Sequence, residues 1–144
     1  MKPSPSTDIA SSLGRVLREP APPGLVSAYL FGSHAEGRAH GQSDVDVGVL
    51  LAHDAHPTAR DRFQEGVRLC ALLVAELGTS LVDLVVLDDA PPHLARRIVT
   101  AGCRVFCSDP PADHAFVRDV QLKAADLEPF LRRSRRLKLA ALAR

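Results

Sequence analysis

Three short apolar runs rich in β-forming residues, 25–31, 45–51 and 81–87, do most to constrain what this chain can fold into. Each is bounded by turn chemistry and is shorter than a typical buried helix, so each reads as a buried strand. Two of them carry acids where a core strand has no use for charge. Asp44-Val45-Asp46 opens the second run, and Asp83 stands alone near the start of the third. Residues two apart on a strand share a face, so Asp44 and Asp46 point one way, roughly 7 Å apart, while Val45, Val47 and Val49 point to the core. Burying Asp83 unpaired would cost several kcal/mol. It is therefore expected beside the Asp44/Asp46 face, completing a three-carboxylate cluster that repels itself unless a cation is present. Magnesium suits carboxylate and phosphate oxygens. Such a cluster can hold two ions about 3.5 to 4 Å apart.

The first run ends at Gly32-Ser33. A glycine there lets the backbone come close to a ligand, and the N–H groups that follow, at a short helix start, form an anion site suited to phosphate. Asp-x-Asp alone is a weak signal, shared by surface turns, calcium loops and sugar-nucleotide transferases. Gly-Ser at the end of one strand, Asp-x-Asp at the start of the next and a lone acid on a later one together point to nucleotide binding or transfer. There is no G-x-x-x-x-G-K-[ST] and no G-x-G-x-x-G, which excludes P-loop and dinucleotide-binding readings.

The segment FGSHAEGRAHGQSDVD, Phe31 through Asp46, resembles the signature of the polymerase-beta-type nucleotidyltransferase superfamily. Within it the chain is similar to the minimal nucleotidyltransferases (MNT) that act as antitoxins of HEPN/MNT toxin-antitoxin pairs. The likeness runs on through Asp83, Asp88-Asp89-Ala90-Pro91-Pro92 and Arg96-Arg97-Ile98-Val99, and covers roughly residues 10–140. It implies that Gly32 and Ser33, with Arg38 and Ser43, bind the nucleotide. Asp44, Asp46 and Asp83 would form the metal and catalytic set, with Asp83 assisting the attacking hydroxyl. Two magnesium ions and ATP are the implied cofactor and substrate, and the implied reaction moves AMP to a hydroxyl, a tyrosine, of a cognate HEPN ribonuclease toxin. Many relatives carry basic residues at the positions of His34 and Glu36; here Arg38 could supply part of that charge. A small-molecule nucleotidyltransferase and an antitoxin that acts by binding alone are the alternatives.

The 144 residues, 46% hydrophobic, suffice for one sizeable core. With 18 basic and 17 acidic residues, and one tyrosine and no tryptophan to stack bases, nucleic acid is a poor acceptor. Residues 1–14 lack the charged and apolar regions of a signal peptide, and no apolar run is long enough to span a membrane, so a cytoplasmic protein is expected. It could work as a homo- or hetero-oligomer.

The expected fold is α/β: a mixed sheet of about four strands with packed helices and a C-terminal helical segment. Residues 1–7 are expected to be disordered, 8–110 to form the catalytic core and 111–144 a helical extension. A first helix covers 8–18. A second begins at the cap Thr58 with Asp61 in the capping-box position and ends at Gly78. Its stripe of Phe63, Val67, Cys70 or Ala71, Val74 and Leu77 is assigned to the core. A third helix spans 91–101 and a short strand 104–106. The last helical part places Phe116, Val120, Leu127 and Leu131 on one face, with a kink or break at Pro129 and Asp126 as a new cap. Cys70, Cys103 and Cys107 match no zinc module, His53 and His56 read as a solvated loop, and the basic cluster 132–138 as a solvated helix face or, alternatively, a docking surface for a partner protein or RNA.

Overall fold

The computed structural model describes residues 7–19, 21–37 and 44–142. Within them β1 (Leu25–Phe31) and β2 (Val45–Leu51) fall where the apolar pattern places them, whereas β3 (Val82–Val86), the middle of the third run, is half-buried at the edge of the sheet with Asp83 exposed, not the buried strand expected. A fourth strand, β4 (Cys103–Cys107), extends the expected 104–106 by one residue at each end. The order across the sheet is β3-β2-β1-β4. β1 runs antiparallel to β2 and β4, and β2 parallel to β3, so the sheet is mixed as expected.

The parallel pair requires a crossover, which α2 (Ala59–Leu77) provides. Its start is specified locally. Thr58 Oγ1 accepts the Asp61 N–H at 3.0 Å while the Asp61 carboxylate accepts the Thr58 N–H at 3.2 Å, the reciprocal box read from the sequence. α1 (Thr7–Arg18) and α2 cover one face of the sheet, with Leu13, Leu17, Leu69 and Leu73 against Val45, Val47 and Val49. On the other face α3 (Pro92–Ala101) and α4 (Pro110–Leu142) bring Ala95, Ile98 and Val120 against Val26, Tyr29 and Leu50. The strand alternation that buries the valines therefore turns Asp46 toward the α3 face.

Two expectations about the helices fail. The stripe assigned to the α2 core fails in its first half: Phe63 is 69% and Val67 55% exposed, Cys70, Val74 and Leu77 are half-buried with Leu77 against the core, and the fully buried positions are Arg62, Gly66, Leu69 and Leu73. Three-and-four spacing admits both faces. Arg62 and Gly66 decide between them. The Arg62 guanidinium donates two hydrogen bonds of 2.9 Å to Asp89 and one of 3.1 Å to the His56 carbonyl, and the bonds to Asp89, then the Arg62 charge, hold the Asp89 carboxyl below the usual range. At Gly66 a β-carbon would press on Val86, so only glycine lets α2 lie this close to β3. The second failure concerns Pro129, which lies inside α4, so Asp126 caps no new helix. A helix tolerates one lost hydrogen bond where other turns carry it. Phe116 is half-buried and Val120 buried, while the placement of Leu127 and Leu131 and of the cluster beyond Arg133 lies outside the described side chains. Residues 1–6 also lie outside the described residues.

α4 is tied to the sheet by one carboxylate. Asp113, in its first turn and 1% exposed, accepts the Ser27 hydroxyl at 2.6 Å, the Tyr29 hydroxyl at 2.7 Å and the Arg104 Nη1–H at 3.0 Å. Burial, and then the bond to Asp113, hold the Tyr29 phenol well above its usual value, so it stays a proton donor. The histidine loop is largely exposed, as expected, although His53 Nε2 lies 3.1 Å from the buried Asp88 carboxylate, which also accepts the Leu51 N–H at 3.0 Å. The three cysteines are free and half-buried.

Candidate active site

The strand registers assemble the site. Phe31 at the end of β1 pairs with Asp46 of β2, and Asp46 pairs with Asp83 of β3, so the Gly32 turn and two of the acids form a row across the sheet. Asp44 is exposed just before β2, on the Asp46 face by alternation. The electrostatics agree with that placement. The Asp46 carboxyl is pushed above its usual range, first by burial, then by the charge of Asp83 and then by that of Asp44, with His34 opposing.

Among the described residues no three His, Cys, Asp or Glu side chains are gathered closely enough to hold a metal ion by themselves. The three-carboxylate cluster expected from the sequence is therefore not drawn together to metal-binding distance. The donor set still fits magnesium, which binds through one or two carboxylates, keeps several waters and takes its remaining ligands from substrate phosphates.

Gly32 has φ 74°, in the left-handed region, and a β-carbon there would fall on the Asp46 carboxylate. Residues 32–37 make a turn closed by the Glu36 N–H on the Gly32 carbonyl at 3.1 Å. This single turn stands in place of the expected helix start. Ser33 is half-buried within it, and His34 and Ala35 are buried. Arg38 and Ser43, assigned to nucleotide binding from the sequence, lie outside the described residues. Gly32→Val forces a β-branched side chain into a left-handed position and onto Asp46, so ATP binding should fall below detection by titration calorimetry with magnesium, whereas Ser33→Ala should weaken it by about 1.5 to 3 kcal/mol, one charged hydrogen bond. Equal affinities for wild type and Gly32→Val would place the phosphates elsewhere.

A cavity of about 250 Å³ opens beside Gly32, walled by Phe31, Glu36, Leu94, Arg97 and Ile98. Arg97 brings an exposed cation to the site. Sequence reading gave it no role, because nothing in its local spacing marks it and only the docking of α3 against the end of β1 brings it there.

The family model described as polymerase beta, nucleotidyltransferase matches residues 21–111, which contain every acid of this row. A curated relative, protein adenylyltransferase MntA of Shewanella oneidensis, is 35% identical over 84 residues, 58% of this chain. The match spans 55% of that relative's length. Among solved structures, a chain of a toxin-antitoxin crystal structure with AMP-PNP superimposes with a TM-score of 0.62 at 26% identity, covering 94% of this chain and 98% of that one. A chain from the structure of a tri-AMPylated Shewanella oneidensis HEPN toxin in complex with MNT antitoxin shares the fold, with a TM-score of 0.57 at 23% identity, covering 96% and 99%.

Proposed function

The chain belongs to the polymerase beta nucleotidyltransferase family, and from that premise we propose that it transfers AMP from ATP to a hydroxyl, a tyrosine, of a cognate HEPN-type ribonuclease toxin and so silences it. The observation that carries this reading is the row of Gly32, Asp46 and Asp83, a phosphate turn and two acids in register, in a chain similar to a protein adenylyltransferase. The likeness to a toxin-antitoxin structure holding AMP-PNP supports ATP as the donor.

In this reading the backbone of the Gly32 turn and the Ser33 hydroxyl donate hydrogen bonds to the phosphates, with Arg38 and Ser43 as further contacts. Asp44 and Asp46 would hold magnesium, with Asp83 close to the same ions. The metal, when bound, supplies charge neutralisation on the triphosphate. Asp83 accepts the proton of the acceptor hydroxyl. That oxygen bonds to the α-phosphorus as the bond to the bridging oxygen breaks, and pyrophosphate leaves. Positioning and charge suffice for such chemistry, which needs no covalent help from the protein.

The acceptor is a protein rather than nucleic acid. The net charge is +1, and the one tyrosine is buried with its hydroxyl on Asp113, so it offers no ring for base stacking. AMP added beside a ribonuclease site places an anion that repels RNA. Among the described residues no helix is long and apolar enough to cross a membrane, which agrees with a cytoplasmic enzyme. The test is to incubate the protein, with its co-purified partner, with ATP labelled at the α-phosphate, before and after chelation of divalent ions. Label should pass to the partner and stop on chelation. Label confined to small molecules would favour a small-molecule acceptor instead.

A further inference from the structure

Only three large hydrophobic side chains are exposed among the described residues, and two of them, Phe63 at 69% and Val67 at 55%, lie one turn apart on α2. They do not float over solvent. With β3 and the start of α3 they wall a groove of about 620 Å³ whose lining is mostly apolar, from Phe63 and Val67 past Val85 to Pro91 and Leu94. The same groove is lined by Asp83. β3 is an edge strand of the sheet, so the groove runs along that edge. An exposed apolar stripe at a sheet edge invites aggregation unless a partner covers it.

We propose that this groove receives the acceptor protein: an apolar segment next to the modified hydroxyl seats against Phe63 and Val67, and the hydroxyl is thereby delivered to Asp83. The proposal rests on the transfer reading above and extends it from donor side to acceptor side. Continuity with the site chooses the occupant. The groove and the row of acids have Asp83 in common, and the Gly32 turn lies at the other end of that row, so phosphates and acceptor approach the acids from different directions. The chemistry of the lining asks for apolar side chains, not for a sugar or an RNA backbone. An extended acceptor segment could also pair with the edge of β3, while a helical one would lay an apolar face along α2.

The test uses the unmodified HEPN-type partner as acceptor and compares wild type with Phe63→Asp, Val67→Asp and Phe63→Leu. Both positions are exposed, so thermal midpoints should stay at the wild-type value. Phe63→Asp should raise KM for the partner about tenfold or more, the loss of an aromatic anchor. Turnover at saturating partner should stay within about twofold, ATP affinity should not move, and Phe63→Leu should recover most of the effect. An unchanged KM in both aspartate variants, with a wild type that transfers normally, overturns the groove and leaves the transfer reading intact. A wild-type dimer that becomes monomeric on Phe63→Asp without a change in KM assigns the face to a second copy of this chain and also overturns it. If wild type transfers nothing, the transfer reading fails; partner affinity by calorimetry then decides the groove, weakened binding by Phe63→Asp supporting it and equal binding refuting it.

Discussion

Asp46→Asn should abolish AMP transfer, by about a thousandfold or more or about 4 kcal/mol of barrier, while leaving the fold intact and its thermal midpoint equal or higher. The loss follows from position: Asp46 is the middle of the row, paired in register with Phe31 on one side and Asp83 on the other. The gain in stability follows from sign. The carboxyl is raised in the folded protein by burial and by two like charges. A raised acid stabilises the fold fully below its unfolded value, and that contribution is lost as pH rises through the folded one. At neutral pH the ionised group is a net burden on the metal-free protein, which asparagine removes. Asp44→Asn and Asp83→Asn should abolish transfer likewise. Turnover and thermal midpoint are measured together on the same samples. Normal turnover in Asp46→Asn would sink the mechanism, and a midpoint several degrees lower would show that Asp46 is structural.

Asp113→Ala should have the largest effect on stability, a loss of about 3 to 5 kcal/mol in urea unfolding. Three donors converge on this buried carboxylate, and its removal leaves the Ser27 and Tyr29 hydroxyls and the Arg104 guanidinium without their acceptor. α4 then loses its polar anchor to β1 and β4. Asp113→Asn, which keeps one acceptor oxygen, should lose less. A loss under about 1 kcal/mol for the alanine variant would mean that apolar packing around Val120 alone holds α4 in place.

Strand positions and the site row were legible in the sequence because both rest on local rules. Apolar runs bounded by turns located β1 and β2 to the residue, alternation put Asp46 opposite the valines, and Thr58 with Asp61 marked the start of α2. The face of α2 was not legible. Phe63 and Val67 look like core by hydrophobicity, and Arg62 looks like surface. What reverses them is a partner 27 residues on, Asp89, together with the missing side chain of Gly66. The misread stripe is also where the acceptor groove lies. Hydrophobic periodicity reports burial against something, and it cannot tell the chain's own sheet from a partner. Asp113 was missed for a related reason: two of its three donors, Ser27 and Tyr29, lie on a strand more than 80 residues away, and an acid in the first turn of a helix is ordinary by local rules.

Enzymatic silencing of a partner by adenylylation is best checked by intact mass spectrometry of that partner. The partner is co-expressed with wild type and, separately, with the Asp44→Asn/Asp46→Asn double variant. With wild type the partner should be heavier by one or more adenylyl groups and inactive, and with the double variant it should be unmodified and active. A partner that carries no added mass, yet is neutralised equally by both, would contradict it and leave inhibition by binding alone.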